Sequence, residues 1–365
     1  MSFESYLKLA EAGDSYWQYY IGECYKYGIG TTKDEKMAFK WYLTSAIRGN
    51  SYGQFNLGCC YDEGIGTTKD EKKAFEWYLK SAECGNSQGQ NSLGNCYKQG
   101  VGTFKNEMKA FMWYLNSAKG GNSQGQNNLG ACYEQGMGTF KDEKMAFEWY
   151  LKSAKCGNSQ GQNNLGNCYK QGIGTSKNEK KAFKWYLKSA KNNNSDGQCN
   201  LGTCYINGIG TTKNKKKAFK WYLKSAKSDN FQGQNNLGLC YEDGIGIAKD
   251  EKKAFEWYLK SAEGGDSHGQ NNLGRCYENG IGIVKDEKRA FVWYLKSAIS
   301  GNSDGQRNLG YCYGKGIGTT RDEKRAFKWY LKSDEVSHLK LRKASLEITD
   351  PLDPPDDPPD PPDPQ

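Results

Sequence analysis

Apolar positions along this chain return on a fixed interval. Trp-Tyr-Leu recurs at Trp41, Trp77, Trp113, Trp149, Trp185, Trp221, Trp257, Trp293 and Trp329, always 36 residues apart and without insertion or deletion. Cys-Tyr keeps the same period from Cys24 to Cys312, and Gly-x-Gly does so from Gly28-Ile29-Gly30 to Gly316-Ile317-Gly318. A period of this length marks an array in which each unit buries its apolar face against its neighbours. Take Ser123 to Asn158 as one unit. Gly125, Leu129, Cys132 and Tyr133 fall on one face at helical spacing. Ser123 followed by Gln126 predicts a capping box, with the hydroxyl accepting from a free backbone N–H and the Gln reaching back to the cap. Gly136 predicts the end of this first helix, where a left-handed residue is needed. Asp142 predicts the cap of a second helix that buries Ala146, Trp149, Tyr150 and Ala154, and Gly157-Asn158 turns the chain into the next unit. The expected fold is an all-α solenoid of 36-residue helix-turn-helix repeats.

The same alignment sets the boundaries. Phe3, Tyr6, Leu7, Ala10 and Gly13 stand 36 residues before Phe39, Tyr42, Leu43, Ala46 and Gly49. Residues 1–14 therefore read as half a repeat, a lone second helix that is either a cap or the scar of a truncation. Residues 15–333 read as nine repeats, 334–349 as a candidate capping helix. All eight prolines lie between Pro351 and Pro364 among aspartates, so 350–365 is expected to be an extended, disordered tail. Gly125 and Gly130 sit inside a helix, where each costs about 1 kcal/mol relative to Ala. Their recurrence in nearly every unit implies that two helix backbones approach closely.

Composition narrows the function classes. Hydrophobic residues make up 36%, with 25 Tyr, 14 Phe and 10 Trp, which suits many small cores in series better than one large one. The net charge is +9, and Lys and Arg read as spread along the whole chain, a pattern that usually marks a solvated face, with acidic partners as the alternative. The aromatics recur at buried helical spacing and interleave with no basic run, which argues against nucleic acid. The start, Met1-Ser2-Phe3-Glu4-Ser5-Tyr6, has no apolar leader, and no stretch approaches the ~20 apolar residues of a membrane span. A cytoplasmic monomer with no membrane contact is expected.

Little reactive chemistry is evident. Nine of the 13 cysteines are periodic, and equivalent positions a helix diameter apart exceed the ~7 Å Cα limit for a disulfide. They read as small buried hydrophobes in a reducing compartment, with Cys59, Cys84, Cys156 and Cys199 as irregular extras. There is no Cys-x-x-Cys, and the histidines are His268 and His338, so neither metal nor cofactor is expected. Gly64 to Lys69 lacks the Gly-Lys-Ser/Thr ending of a phosphate loop and joins two helices, which makes it a turn. Ser5-x-x-Lys8 and Ser228-Asp229-Asn230 match two penicillin-interacting motifs, but the third, Lys-Thr-Gly, is missing. The chain is not expected to be an enzyme.

Leu129-Gly130, Tyr133, Gly136, Gly138, Asp142, Ala146, Trp149-Tyr150 and Ala154, repeated about nine times over residues 3 to about 333, closely resemble the Sel-1-like repeat, a relative of the tetratricopeptide repeat. The resemblance implies a right-handed superhelix of antiparallel helix pairs that binds partners in its concave groove. It also implies adaptor roles in signalling, in protein quality control at the endoplasmic reticulum, or in cell-wall synthesis. Near-identical arrays of this kind resemble expanded sets in early-diverging fungi, some fused to protein kinases. No kinase signature is present here, and a regulatory region separated from such a fusion is the alternative. A bacterial branch bridges two cysteines per repeat. The regular partner is missing here, which leaves a β-lactam hydrolase of that type as the weakest alternative. The family usually has Ala where this chain has Gly53, Gly89 and Gly125, implying a looser helix start.

Comparing the repeats with one another shows which positions change. Counted from the serine, positions 2, 5, 9 and 12 of the first helix vary, and their spacing puts them on one face. By resemblance to tetratricopeptide arrays this face lines the groove. It offers Gln88, Gln124, Gln160, Gln232 and His268 at position 2 and Asn91, Asn127, Asn163, Asn235 and Asn271 at position 5. Position 9 adds Asn95, Asn167, Leu239 and Arg275. Each Asn is both donor and acceptor, which suits the backbone of an extended peptide. Drift of an unconstrained solvent face is the competing explanation. The function expected is a non-catalytic protein-binding scaffold or adaptor, in signalling.

Overall fold

A computed structural model describes residues 2–338, with side chains through Ser333. The tail 350–365, and the candidate capping helix beyond its first five residues, lie outside the described residues. Nineteen α-helices and no strand are found among them. After α1 (Phe3–Glu11), nine first helices alternate with nine second helices. The first helices are α2 (Ser15–Tyr27), α4 (Ser51–Glu63), α6 (Ser87–Gln99), α8 (Ser123–Gln135), α10 (Ser159–Gln171), α12 (Ser195–Asn207), α14 (Phe231–Asp243), α16 (Ser267–Asn279) and α18 (Ser303–Lys315). The second helices are α3 (Glu35–Ile47), α5 (Glu71–Glu83), α7 (Glu107–Lys119), α9 (Glu143–Lys155), α11 (Glu179–Lys191), α13 (Lys215–Lys227), α15 (Glu251–Glu263), α17 (Glu287–Ile299) and α19 (Glu323–His338). The fold is an all-α solenoid of 36-residue helix pairs.

The helix ends are built differently from the capping box that the sequence suggests. Asn122, not Ser123, is the cap of α8, its Oδ1 accepting from the Gly125 amide at 2.8 Å. Gln126 does not reach back. Its Nε2 donates to the Ala118 carbonyl at 3.4 Å, and Gln54 and Gln270 do the same to Ala46 and Ala262. The last carbonyls of a helix lack intrahelical donors, so each first helix closes the end of the second helix before it. Gly136 ends α8 at φ 72°, and Asp142 caps α9 through the Met145 amide, as the sequence implies.

Packing explains the recurrent glycines. A Cβ at Gly125 would lie 2.3 Å from Ser117 Oγ. Ser117 is fully buried, and its hydroxyl donates to the Ser87 carbonyl at 2.7 Å. The helix start is therefore tightly packed, with Gly125 directly against Ser117. At Gly138, with φ 69°, a Cβ would meet the Glu107 carbonyl at 2.2 Å, so the turn presses on the preceding second helix. Leu129, Cys132, Ala146, Tyr150 and Ala154 are buried, as expected. Trp149 is only half-buried, with the Lys152 ammonium 3.9 Å from its ring centroid.

The described helices form two compact units, divided between Asn192 and Asn193. Within each, the backbones of successive first helices approach one another closely, while among the described residues those of the second helices do not. The first helices are therefore the inner layer of each unit. α1 packs on α2 through an edge-on Phe3–Tyr25 pair at 5.6 Å, which Phe39–Tyr61 repeats at 5.5 Å in the next repeat.

Candidate interaction surface of the first helices

The amides expected to meet a peptide backbone meet one another. Asn91, Asn127, Asn163 and Asn235 are buried, and Asn271 is half-buried. Their carbonyl oxygens accept from the asparagine that follows them one repeat later: Asn128 donates to Asn91 at 2.9 Å, Asn164 to Asn127 at 3.0 Å and Asn272 to Asn235 at 2.8 Å. Asn308 donates to Asn271 at 2.9 Å. The chain of amides extends further in the first unit. Asn158 donates to Gln124 at 3.0 Å, and Gln124 donates to Asn128 at 3.3 Å. Asn at position 5 is thus a joint between repeats. At position 2, Gln88, Gln124, Gln232 and His268 are exposed and Gln160 is half-buried.

Positions 9 and 12 form a second internal system, which the sequence reading treated as separate variable sites. Each repeat but the last, whose Tyr330 is exposed, buries a tyrosine of its second helix whose hydroxyl must find an acceptor. Asn95 and Asn167 at position 9 accept from Tyr114 and Tyr186, both at 2.7 Å, and Glu23 accepts from Tyr42 at 2.5 Å. Where position 9 is Ala131, Leu239 or Arg275, the acceptor moves one turn on. Glu134, Glu242 and Glu278 at position 12 then accept from Tyr150, Tyr258 and Tyr294 at 2.6 Å. Position 12 is Lys26, Lys98, Lys170 or Ile206 where position 9 is Glu23, Asn95, Asn167 or Thr203. In the second repeat Tyr78 donates to both Asp62 at 3.3 Å and Cys59 at 3.6 Å, and the ninth repeat carries Tyr311 and Gly314. The variation in these columns is compensation. Leu239 packs against the core, and Arg275 pairs with Glu242 at 2.6 Å.

The first two repeats break this pattern. Positions 2 and 5 there are Tyr16, Tyr19, Tyr52 and Phe55. Tyr16 and Tyr52 are 50% and 49% exposed. Tyr19 joins them, with ring centroids 6.1 Å from Tyr16 and 5.5 Å from Tyr52. Burial, and then the Glu23 carboxylate, push the Tyr19 hydroxyl up to about 12. Asn56 has no amide acceptor in the preceding repeat and turns to the Tyr52 carbonyl at 3.1 Å.

The remaining sequence candidates have local roles. The nine periodic cysteines are buried and unbridged, and burial pushes the thiols of Cys60, Cys96, Cys132, Cys168, Cys240, Cys276 and Cys312 up to about 12. Cys84 and Cys156 are exposed. Gly64 caps α4 at φ 74°, and Lys69 pairs with Glu71 at 3.2 Å. Ser228 ends α13 and Asn230 caps α14 through the Gly233 amide. No His/Cys/Asp/Glu group suited to a metal, and no helix long and apolar enough to cross a membrane, occurs among the described residues.

Charge is less even than the sequence reading held. Between Lys170 and Lys227 stand fourteen lysines against Glu179 and Asp196, a formal +12 in a chain whose total is +9. α11 in the first unit and α13 in the second carry most of them.

The family model described as Sel1 repeat matches nine consecutive segments: residues 16–50, 51–86, 87–122, 123–158, 159–194, 195–230, 232–266, 267–302 and 303–333. Among solved structures, the chain is similar to c5321, a protective antigen of uropathogenic Escherichia coli with an SLR fold. Identity is 32%, over 92% of this chain and 79% of that one, with a TM-score of 0.61. A Sel1 repeat protein from Oxalobacter formigenes is 33% identical over 67% of this chain and 96% of its own, with a TM-score of 0.60. No curated protein matches.

Proposed function

This chain belongs to the Sel1 repeat family, and from that membership we propose that it is a non-catalytic scaffold that binds polypeptide partners along its first helices, anchored by the aromatic patch of the first two repeats. The observation that carries this is the half-exposed pair Tyr16 and Tyr52, bridged by Tyr19, on the inner layer. Later repeats fill the same positions mostly with Gln and Asn, and with Asp196, Cys199, His268, Asp304 and Arg307 in the rest, so the fold does not require aromatics there. Tyrosine offers a large contact area with a polar tip and little conformational entropy to lose, which is why it is enriched where proteins bind one another. The exposed Gln88 and Gln124 extend the proposed surface within the first unit, where the position-5 asparagines hold its spacing, and Gln232 and His268 hold the equivalent positions in the second unit. A cytoplasmic setting and a role in signalling belong to this proposal.

Cross-linked affinity purification from the native cell, with wild type and a Tyr16→Ser/Tyr52→Ser variant of unchanged helicity, tests it. A specific polypeptide recovered with wild type is expected to fall about tenfold or more in the variant, the cost of removing two aromatic anchors. Undiminished recovery of the same partners would place binding on another surface.

A further inference from the structure

The lysine cluster of the second unit begins at a position where every other second helix carries an acid. The other eight second helices begin with Glu, and most pair it with the lysine two residues earlier, as Lys249 does with Glu251 at 3.0 Å. α13 instead begins Lys215-Lys216-Lys217 and has no acidic residue in its 13 positions. Lys216 and Lys217 repeat the basic residues of the other second helices, and Lys217 and Lys224 lie over the Tyr205 and Trp221 rings at 5.4 and 4.6 Å as their equivalents do. The departure is Lys215 in place of Glu, a cation that opposes the helix dipole and leaves the helix without an acidic residue. Every lysine of α13 is exposed, and none is in an ion pair among the described residues. Lys216, Lys220, Lys224 and Lys227 share one face, a stripe about 17 Å long at 1.5 Å per residue.

We propose that this stripe is a docking surface for acidic polypeptide and that its resident occupant is residues 350–365 of the same chain. The complement is in the sequence: those residues hold six aspartates and no Lys or Arg. Extended chain at about 3.1 Å per residue covers the stripe with five or six residues, so Asp353, Asp356 and Asp357 can face it together. Reach is sufficient. Three repeats separate α13 from α19 within one compact unit, roughly 30–36 Å at a helix diameter each. The eleven residues from 339 to 349 span up to about 36 Å when extended. An external acidic partner must then displace the tail. This surface is separate from the aromatic patch, and neither proposal rests on the other.

The probe is a fluorescein-labelled synthetic peptide with the sequence of residues 350–365, titrated by anisotropy at low and high salt. Three full-length proteins are compared: wild type, a variant with Asp→Asn at 350, 353, 356, 357, 360 and 363, and that variant with Lys216→Gln, Lys220→Gln, Lys224→Gln and Lys227→Gln added. A tethered segment competes at an effective concentration near millimolar. The peptide should therefore bind the Asp→Asn variant at least about tenfold more tightly than wild type, lose affinity with salt, and fail to bind once the lysines are removed. Equal binding to wild type and the Asp→Asn variant, or no binding to either, overturns the proposal. Binding that survives the Lys→Gln changes places the peptide on another basic segment, such as Lys180, Lys184, Lys188 and Lys191 of α11 or Lys340, Arg342 and Lys343, and overturns it too. So does single-stranded RNA binding the stripe when the peptide does not, or a mass by light scattering that doubles with concentration, which would make the occupant a second copy's tail.

Discussion

At the scale of single residues, one hydroxyl governs two columns of the repeat. A buried tyrosine hydroxyl without an acceptor costs about 1–3 kcal/mol. Burial raises the pKa of Tyr150, and the hydrogen bond it donates to Glu134 raises it further, so it stays a donor. Glu134→Ala is expected to destabilise by about 1–3 kcal/mol in chemical denaturation. Adding Ala131→Asn should restore a large part of that, because Asn95 and Asn167 already serve this role at the same position. If Ala131→Asn gives no recovery, positions 9 and 12 do not compensate. The thiols make a second residue-scale prediction. Their folded pKa is raised from 9.0 to about 12 by burial, so the unfolded chain ionises first. Their contribution is whole below about pH 9 and is lost as pH rises toward 12. The urea midpoint should fall between pH 8 and pH 10.5, and a flat midpoint would show that the thiols are not buried. At pH 8, a thiol reagent should modify Cys84 and Cys156 rapidly and the periodic nine only on unfolding.

At the scale of helices, Gly125 reverses the usual expectation for Gly→Ala. Intrinsic propensity favours Ala by about 1 kcal/mol, but the added Cβ would meet Ser117 Oγ at 2.3 Å and Ser117 Cβ at 2.7 Å. Gly125→Ala should lower the melting temperature, and Ser117→Gly in the same chain should recover part of the loss. A rise in melting temperature would show that the helices part without cost. Local signals made most of this element legible beforehand. The 36-residue spacing, the left-handed glycine at Gly136 and the Asp142 cap each follow from residues close in sequence. What was misread depends on partners a repeat away. Gln126 looked like half of a capping box because the Ala118 carbonyl it closes belongs to the preceding helix. The asparagines of position 5 looked free because their donors lie 37 residues on. Paired variation at positions 9 and 12 is visible in the sequence, but its cause is the buried tyrosine hydroxyl that both columns serve from another helix. The aromatic departure at Tyr16 and Tyr52 was also visible, but its exposure needed the structure.

At the scale of the whole molecule, near-identical joints make each unit approximately one-dimensional, with stability summed over repeats and the interfaces between neighbours. The first unit allows a direct test, because residues 123–130 and 159–166 have the same sequence, Ser-Gln-Gly-Gln-Asn-Asn-Leu-Gly. Deleting 123–158 joins Asn122 to Ser159, so every joint has a replacement of the same kind. Asn122 caps the new helix through Gly161, Gly161 fits against Ser117, Gln162 reaches the Ala118 carbonyl and Asn164 donates to Asn91. The deleted residues include four lysines, Lys141, Lys144, Lys152 and Lys155, against Glu134, Asp142, Glu143 and Glu148, so net charge does not change. The shortened chain should fold, lose helical signal in proportion to its length, and show a denaturant m value lower by about a tenth, as the surface exposed on unfolding shrinks. Its midpoint should move little. A collapse of the midpoint, or loss of the folded state, would mean that contacts beyond nearest neighbours hold the unit together. The joints just described would then be insufficient, and the inner layer could not be lengthened or shortened by whole repeats without rebuilding its binding surface.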